Sequence, residues 1–197
     1  MTLNEYQRLA QRTSPDGHDR ILNGCLGLIG ESGEIVDIIK KHMFQSTPDT
    51  PLPTDKLVDE MGDVMWYIAE TVTGMGHKLG DMLSLYGKFF FSDETRLHDL
   101  AAVLSADAST IYICLYVYED HDKALSKIIH AYNLLCGMCY KLGCTPEYMM
   151  GGNIEKLRKR YPDGFDPERS MNRPEYQQEE ETEPASGILF NERNRTV

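Results

Sequence analysis

The chain has 197 residues and a formal net charge of −11. A chain of this length can bury a substantial core, because a domain of about 150 residues hides roughly two-thirds of its unfolded surface. The negative charge argues against nucleic-acid polymers and anionic membranes as partners, since both are bound through basic patches. No signal peptide precedes the first helix and no apolar run approaches a membrane span, so we expect a cytoplasmic protein.

The cysteine pattern predicts free thiols. Five is an odd number, and most of the cysteines fall in apolar helical segments, where buried thiols are common. Cys136 and Cys139 form a C-x-x-C pair, but no second pair of ligands completes a zinc site. The cysteines are Cys25, Cys114, Cys136, Cys139 and Cys144.

The first acidic pair lies in the second of the two predicted helices at the start of the chain. Thr2-x-x-Glu5 is a capping box and opens a short helix, which a turn at 14–17 ends. A long helix is predicted over 19–44, and Glu31 and Glu34 flank its apolar stripe. Gly24 and Gly27 lie on the face of Glu31 and Gly30 about 100° from it, and several glycines in one helix suggest the close approach of a ligand or a backbone.

A second acidic pair follows a proline-containing loop at 48–53. The helix that begins at Thr54 carries Glu60 and Asp63, which flank its apolar stripe in the same way as the first pair. A loop of this length returns the chain antiparallel, so we expect the four carboxylates to converge. Two carboxylates about 5 Å apart repel by roughly 3 kcal/mol at an effective dielectric constant near 20. Convergence therefore predicts a hard divalent cation such as Mg²⁺; the alternative is two solvated acidic faces.

The middle of the chain contains an internal echo. The heptapeptide Gly-Met-Gly-His-Lys-Leu-Gly at 74–80 recurs as Gly-Met-Cys-Tyr-Lys-Leu-Gly at 137–143, an offset of 63 residues. We interpret 76–130 as inserted helices or as a degenerate second copy of the acidic hairpin, and chance similarity is the alternative. In the second copy, Asp107 and Thr110 would correspond to Glu31 and Glu34, and Lys123 and Ser126 to Glu60 and Asp63.

The last predicted helix is basic. Thr145-Pro146 is a helix start, and Asn153, Lys156 and Arg160 share one face of the helix that follows. Such a face is a candidate phosphate site in an acidic protein, or else a solvated basic surface. The tail at 173–197 is acidic, and its composition predicts a flexible segment.

Three blocks of this sequence resemble the MazG-like all-α nucleoside triphosphate pyrophosphohydrolases. They are Leu28-Ile-Gly-Glu31-Ser-Gly-Glu34-Ile-Val-Asp-Ile-Ile-Lys40-Lys41, Asp59-Glu60-Met-Gly-Asp63-Val-Met-Trp66-Tyr67, and Asn153-Ile-Glu-Lys156-Leu-Arg-Lys-Arg160-Tyr161-Pro-Asp-Gly-Phe165 with Ser170 and Arg173. The resemblance covers about 1–76 and 130–173. It implies an all-α helical bundle, with 1–172 as one domain.

The resemblance also implies an activity. The expected reaction is the Mg²⁺-dependent hydrolysis of a nucleoside triphosphate, of a deoxy or non-canonical kind, to the monophosphate and pyrophosphate, and Mn²⁺ is a possible substitute for Mg²⁺. Such enzymes clear unwanted nucleotides from the pool. We expect a homodimer, or a monomer if the duplication supplies the surface that family members bury by pairing. The metal ligands would be Glu31, Glu34, Glu60 and Asp63, with Glu34 as the catalytic base; the substrate-binding residues would be Lys41, Tyr67, Asn153, Lys156 and Arg160.

Three other functions are alternatives to this activity. A di-iron bundle would need Glu-x-x-His, but Glu34 and Asp63 stand at the positions where histidine is required. A nucleotide-binding regulator would keep the acidic and basic residues without turnover. A helical interaction protein would need no metal. Contacts to the base are open, with Asn23, His42 and Trp66 as candidates.

Overall fold

The computed structural model describes residues 1–84, 92 and 94–172, and these residues are helical throughout, with short connections and no strand among them. This confirms the predicted all-α class. A first compact unit covers Met1–Phe165, and a second unit begins at Asp166. The predicted tail, 173–197, lies outside the described residues. The helices are α1 (Leu3–Ala10), a 3₁₀ turn (Gln11–Thr13), α2 (Arg20–Gln45), α3 (Thr54–Gly74), α4 (Leu79–Ser84), α5 (Leu97–Tyr116), α6 (His121–Leu142), α7 (Pro146–Arg160) and α8 (Pro167–Met171).

Capping side chains fix several of the helix starts. The Thr2 hydroxyl accepts from the backbone N–H of Glu5, whose carboxylate accepts from the N–H of Thr2, so the predicted capping box is present. Asp19 caps α2 through the N–H groups of the first turn. Thr145 caps α7, with proline at the first helical position as expected.

Helix α3 is the central element of the first unit, since it packs against α1, α2, α6 and α7. Its buried residues come from nearly all sides of the helix and include Leu57, Met61, Met65 and Ile68, which are fully buried. Helices α2 and α3 form one antiparallel hairpin and α5 and α6 a second, and α5 packs on α2. The acidic pairs therefore lie beside the core.

Two glycines of α2 are explained by the packing of α3. A Cβ at Gly24 would lie 2.1 Å from the Thr71 hydroxyl oxygen, and one at Gly27 would lie 2.1 Å from the Tyr67 ring. These glycines therefore admit side chains of the neighbouring helix rather than a ligand. A Cβ at Gly30 would meet no atom within 4 Å.

A buried carboxylate attaches the connection between α1 and α2 to α3. Glu70 is fully buried and accepts from the Ser14 hydroxyl at 2.8 Å and from Arg20 at 3.3 Å; its Oε1 also lies 2.7 Å from His18 Nε2. Trp66 donates its indole N–H to the Ala10 carbonyl or the Thr13 hydroxyl. Because Trp66 is buried and its N–H is used in this way, it serves packing and not base recognition.

The heptapeptide echo does not mark equivalent structure. The first copy, 74–80, spans the end of α3, a turn and the start of α4, whereas 137–142 forms the last turns of α6. Gly143 ends α6 with φ of 72°. What the two halves do share is a pair of long antiparallel helices.

Helix α5 is long and apolar enough to cross a membrane when judged by length and composition alone, which we did not expect from the sequence. Its buried side chains include Leu100, Leu104 and Ile111, and it packs against α2 and α6. A core helix of a bundle passes the same test, and α5 has the contacts of one.

Candidate functional site

Three carboxylates converge between α2 and α3. Glu31 of α2 and Glu60 and Asp63 of α3 each offer an oxygen atom, and these atoms all lie within 4.8 Å of one another. All three side chains are half-buried. Among the described residues, this acidic triad is the one cluster of at least three side chains that could hold a metal ion. It contains no histidine or cysteine.

Burial raises the pKa values of all three carboxyl groups, and neighbouring acids add to this effect. Burial, together with the charges of Asp63 and Glu60, raises the pKa of Glu31 from 4.5 to about 7. Burial and Asp63 also raise the pKa of Glu60. For Asp63, the effect of burial exceeds the opposing effect of Lys156, so its pKa is raised too. Three carboxyl groups that are difficult to ionise together suit a hard divalent cation. The positive charge of the cation would stabilise their ionised forms.

Glu34 lies at the edge of the triad. Its side chain is exposed, and its carboxylate is not one of the three that come within 4.8 Å of one another. Its charge is still close enough to raise the pKa values of Glu31 and Glu60. The structure thus brings three of the four predicted ligands together and places the fourth next to them, on the solvent side.

Helix α7 supplies the partners of Asp63. Asn153 Nδ2 donates to Asp63 Oδ1 at 2.9 Å, and Lys156 Nζ donates to Asp63 Oδ2 at 2.7 Å. Lys156 also contacts Asp59 Oδ1 at 2.8 Å. Burial lowers the pKa of Lys156, but Asp63 and Asp59 outweigh this effect and leave the pKa raised. Lys156 is therefore a charged ammonium group inside an acidic cluster.

The third residue of the predicted face, Arg160, also lies near Asp63. Arg160, in the last turn of α7, is close enough to lower the pKa of Asp63. The expectation that Asn153, Lys156 and Arg160 share one face of the helix thus agrees with the structure, in which that face points towards α3.

Lys41 stands apart from the triad. Its ammonium group lies 2.6 Å from Asp37 Oδ2, in a pair four residues apart on the exposed surface of α2. It also lines a cleft of about 370 Å³ at the tip of the α2–α3 hairpin, together with His42 and Lys56. Lys41 is thus near the hairpin tip, where it pairs with Asp37.

Tyr67 lies one helical turn from Asp63, on the α2 side of α3. Its ring packs over Gly27 and makes an edge-to-face contact with Trp66, with ring centroids 4.9 Å apart. The ring is half-buried in the helix interface. Packing therefore explains most of its position.

A second cleft lies beside Asp59 and Asn153, two neighbours of the acidic triad. It has a volume of about 450 Å³, lies between the first turns of α3 and α7, and includes Asp59 and Asn153 among its lining residues. Asp55, Glu147 and Glu155 also line this cleft, so an anionic phosphate chain is disfavoured there.

Three residues of the site were not identified as functional from the sequence. Asp59 shares Lys156 with Asp63. Tyr6 donates to Asn153 Oδ1 at 2.8 Å. At Gly62, a Cβ would lie 3.0 Å from the Asn153 Cβ, so glycine lets α7 approach α3 closely. No sequence signal links Tyr6 or Gly62 to a residue far away in the chain.

The thiols form no metal centre within the described residues. All five cysteines are free, and Cys25, Cys114 and Cys139 are buried. Burial and the neighbouring Cys144 raise the pKa of Cys139, which leaves it a protonated thiol.

Comparison of this chain with protein-family models, with curated proteins and with solved structures found no match.

Proposed function

We propose that this protein is a Mg²⁺-dependent nucleoside triphosphate pyrophosphohydrolase, with Mn²⁺ as a possible substitute for Mg²⁺ and a deoxy or non-canonical nucleotide as the substrate. The observation that carries the proposal is the acidic triad: three carboxylates from two helices, with oxygens within 4.8 Å of one another and raised pKa values. Repulsion between carboxylates this close opposes folding unless a cation compensates for it, and acids with perturbed pKa values cluster at functional sites.

Glu31, Glu60 and Asp63 would hold the cation, and Glu34 would join them from the edge of the triad. The donor set is oxygen only, which suits Mg²⁺ or Mn²⁺ and does not suit zinc. The chemistry that a bound Mg²⁺ supplies is neutralisation of the triphosphate and of the charge that develops on the leaving pyrophosphate.

The reaction needs a base for the attacking water. The water oxygen bonds to the α-phosphorus, the bond from the α-phosphorus to the bridging oxygen breaks, and the water proton passes to a carboxylate. We assign this proton to Glu34, because its exposed side chain is free to meet water beside the triad. The other three carboxylates, Glu31, Glu60 and Asp63, are the competing candidates for this base.

Helix α7 provides the positive charge for the phosphate tail. Lys156 is held at the cluster by Asp59 and Asp63, and Arg160 lies one turn further along the helix. When a phosphate chain crosses the cluster, one of its oxygens would replace Asp59 as the partner of Lys156. The assignment therefore predicts that Lys156 matters more for substrate affinity than Lys41 does, because Lys41 pairs with Asp37 on the surface.

The test is a panel of canonical, deoxy and modified nucleoside triphosphates with Mg²⁺, scored for pyrophosphate against orthophosphate. The reaction is also run in ¹⁸O-water, and the label should enter the monophosphate, because attack occurs at the α-phosphorus. Glu31→Gln and Asp63→Asn should abolish pyrophosphate release, whereas Asp122→Asn, an exposed acid in the first turn of α6, should not alter it.

Two results would contradict the proposal. One is the absence of pyrophosphate from every nucleotide in the panel while the protein is folded by circular dichroism. The other is release that persists in both triad variants. Orthophosphate as the product, or label in the pyrophosphate, would reassign the reaction to a different phosphoanhydride bond.

A further inference from the structure

Tyr6 is a fully buried residue of α1 whose hydroxyl meets a buried polar side chain of α7. That side chain, Asn153, is only 2% exposed. Both functional groups of its amide are in use, since Nδ2 donates to Asp63 and Oδ1 accepts from Tyr6. Because Asn153 is buried and each end of its amide already has a protein partner, a substrate can reach little of it, which argues against the role in substrate binding that the sequence predicts for it.

We propose that Tyr6 and Asn153 are positioning residues that hold the carboxylate of Asp63 in place for cation binding. This inference rests on the proposed function, because it takes Asp63 as a metal ligand. It changes the role of Asn153 from substrate contact to support of the ligand, and it adds Tyr6, which is distant from the reacting atoms.

Hydrogen-bond chemistry fixes the direction of this relay. The carboxylate of Asp63 only accepts, so the amide of Asn153 must present its N–H₂ group to it. The amide oxygen then points into the protein, where an unsatisfied acceptor would be costly. Tyr6 supplies the required donor at 2.8 Å, and the Gly62 carbonyl lies 3.5 Å from the same hydroxyl.

The packing around the relay leaves little room for another arrangement. Gly62 precedes Asp63, and a Cβ there would lie 3.3 Å from Asn153 Nδ2, so a larger residue would displace the amide. Lys156 holds the other oxygen of Asp63, and its side chain is 19% exposed. Lys156 can thus leave for a phosphate group, whereas Asn153 stays. We expect Asp63 to keep its orientation when its lysine partner changes.

The experiment is a double-mutant cycle on cation affinity, with Mn²⁺ alone as the probe and isothermal titration calorimetry as the measurement. Tyr6→Phe removes one oxygen and keeps the ring, and it should weaken Mn²⁺ binding about 10-fold. Asn153→Ala should weaken it about 10- to 100-fold. The double variant should bind no more weakly than Asn153→Ala, because the hydroxyl acts only through the amide. Tyr112→Phe, in the second hairpin, should bind like the unaltered protein.

Additive losses, or Mn²⁺ affinity in Tyr6→Phe within twofold of the unaltered protein, would overturn the relay. If the unaltered protein binds Mn²⁺ and Tyr6→Phe binds it equally well, the relay fails and the proposed function stands. If the unaltered protein binds no Mn²⁺, the proposed function fails.

A second measurement keeps the relay testable if the variants do not fold. In the ¹⁵N-asparagine-labelled, unaltered protein, the Asn153 side-chain amide should exchange slowly with solvent, and its signal should shift on addition of Mg²⁺. Rapid exchange at random-coil shifts would overturn the relay without any substitution.

Discussion

The two long hairpins surround their buried acids with opposite charges. In α2–α3, Glu31 faces Glu60 and Asp63, and burial together with these like charges raises its pKa to about 7. In α5–α6, Asp107 is 2% exposed, and each of its oxygens has a basic partner from α6. Lys127 Nζ lies 2.7 Å from Oδ1, and His130 Nδ1 lies 2.5 Å from Oδ2.

Under the proposed function, this difference assigns the cation site to the first hairpin. A buried acid with a full set of partners stabilises the fold and needs nothing further. A cluster of acids with raised pKa values lowers stability, and such clusters persist where function requires them. Asp107 lies 76 residues after Glu31, and Lys127 and His130 lie 63 residues after Val64 and Tyr67. These offsets differ, and Lys127 and His130 correspond to residues that are not predicted metal ligands, so the ion pairs of Asp107 do not support the duplication hypothesis.

The largest expected effect is on catalysis. Glu31→Gln should reduce pyrophosphate release about 10³-fold, because it removes an oxygen ligand at the point where charge develops. Asp107→Asn should leave the rate per folded molecule unchanged, since Asp107 belongs to the other hairpin. Steady-state rates on the best nucleotide of the panel measure both. An equal loss in the two variants would remove the distinction between the hairpins.

Cation binding should stabilise the protein through the first hairpin only. At a concentration of Mg²⁺ 100 times its dissociation constant, we expect a gain of about 2.7 kcal/mol in the free energy of unfolding. Thermal unfolding with and without Mg²⁺ measures this gain. It should disappear in Glu31→Gln and remain in Asp107→Asn. A gain that persists in Glu31→Gln would place the cation elsewhere.

The partners of Asp107 should make it a stabilising residue. Asp107→Ala should lower the free energy of unfolding by about 2 kcal/mol, because Lys127 and His130 lose their shared acceptor. The cost is at the lower end for buried ion pairs, since the Lys127 side chain is 34% exposed and can be hydrated. Urea unfolding measures the change, and Lys123→Ala, on the exposed face of α6, is the control. A change below about 0.5 kcal/mol would show that these contacts contribute little.

The smallest effect concerns pH. Folded Glu31 keeps its proton up to about pH 7, whereas the unfolded chain loses it near pH 4.5. The folded state therefore binds more protons between these values, and stability falls as the pH rises through that window. A shift of this size corresponds to about 3 kcal/mol for an isolated group, but partial exposure and coupling to Asp63 reduce the expected loss to about 1 kcal/mol.

Chemical unfolding at pH 5 and pH 8 without divalent cations measures that loss. The fall should be smaller in Glu31→Gln, which has no proton to lose. Mg²⁺ should stabilise the protein more at pH 8 than at pH 5, because cation and proton compete for the same oxygens. Stability that rises across this range, with an equal slope in Glu31→Gln, would contradict the assignment.

Local sequence patterns predicted the helices closely. The predicted helix at 19–44 is Arg20–Gln45 in the structure, and the predicted starts at Thr54 and Pro146 agree with it. Caps, proline positions and apolar periodicity are local signals, so they can be read without knowledge of the tertiary structure. The convergence of Glu31 with Glu60 and Asp63 was also predictable, because a short loop fixes the return of the second helix.

Contacts between distant segments were not predictable in the same way. Tyr6 and Asn153 are separated by 147 residues, and no periodicity relates α1 to α7. Lys41 shows the opposite case, since Asp37 stands four residues before it and the pair could have been identified from helical spacing alone. The exposed side chain of Glu34 depends on the rotation of α2 against its neighbours, which the helical wheel gives only coarsely.

The two partners of Asp63 follow it by 90 and 93 residues in the chain. A ribosome that has just released α2 and α3 has produced the acids but not the amide and ammonium groups that hold them. During synthesis the candidate site is therefore completed last, after the second hairpin has emerged and α7 has docked. A chain truncated before Asn153 would keep every acid of the triad and lack the side chains that orient Asp63.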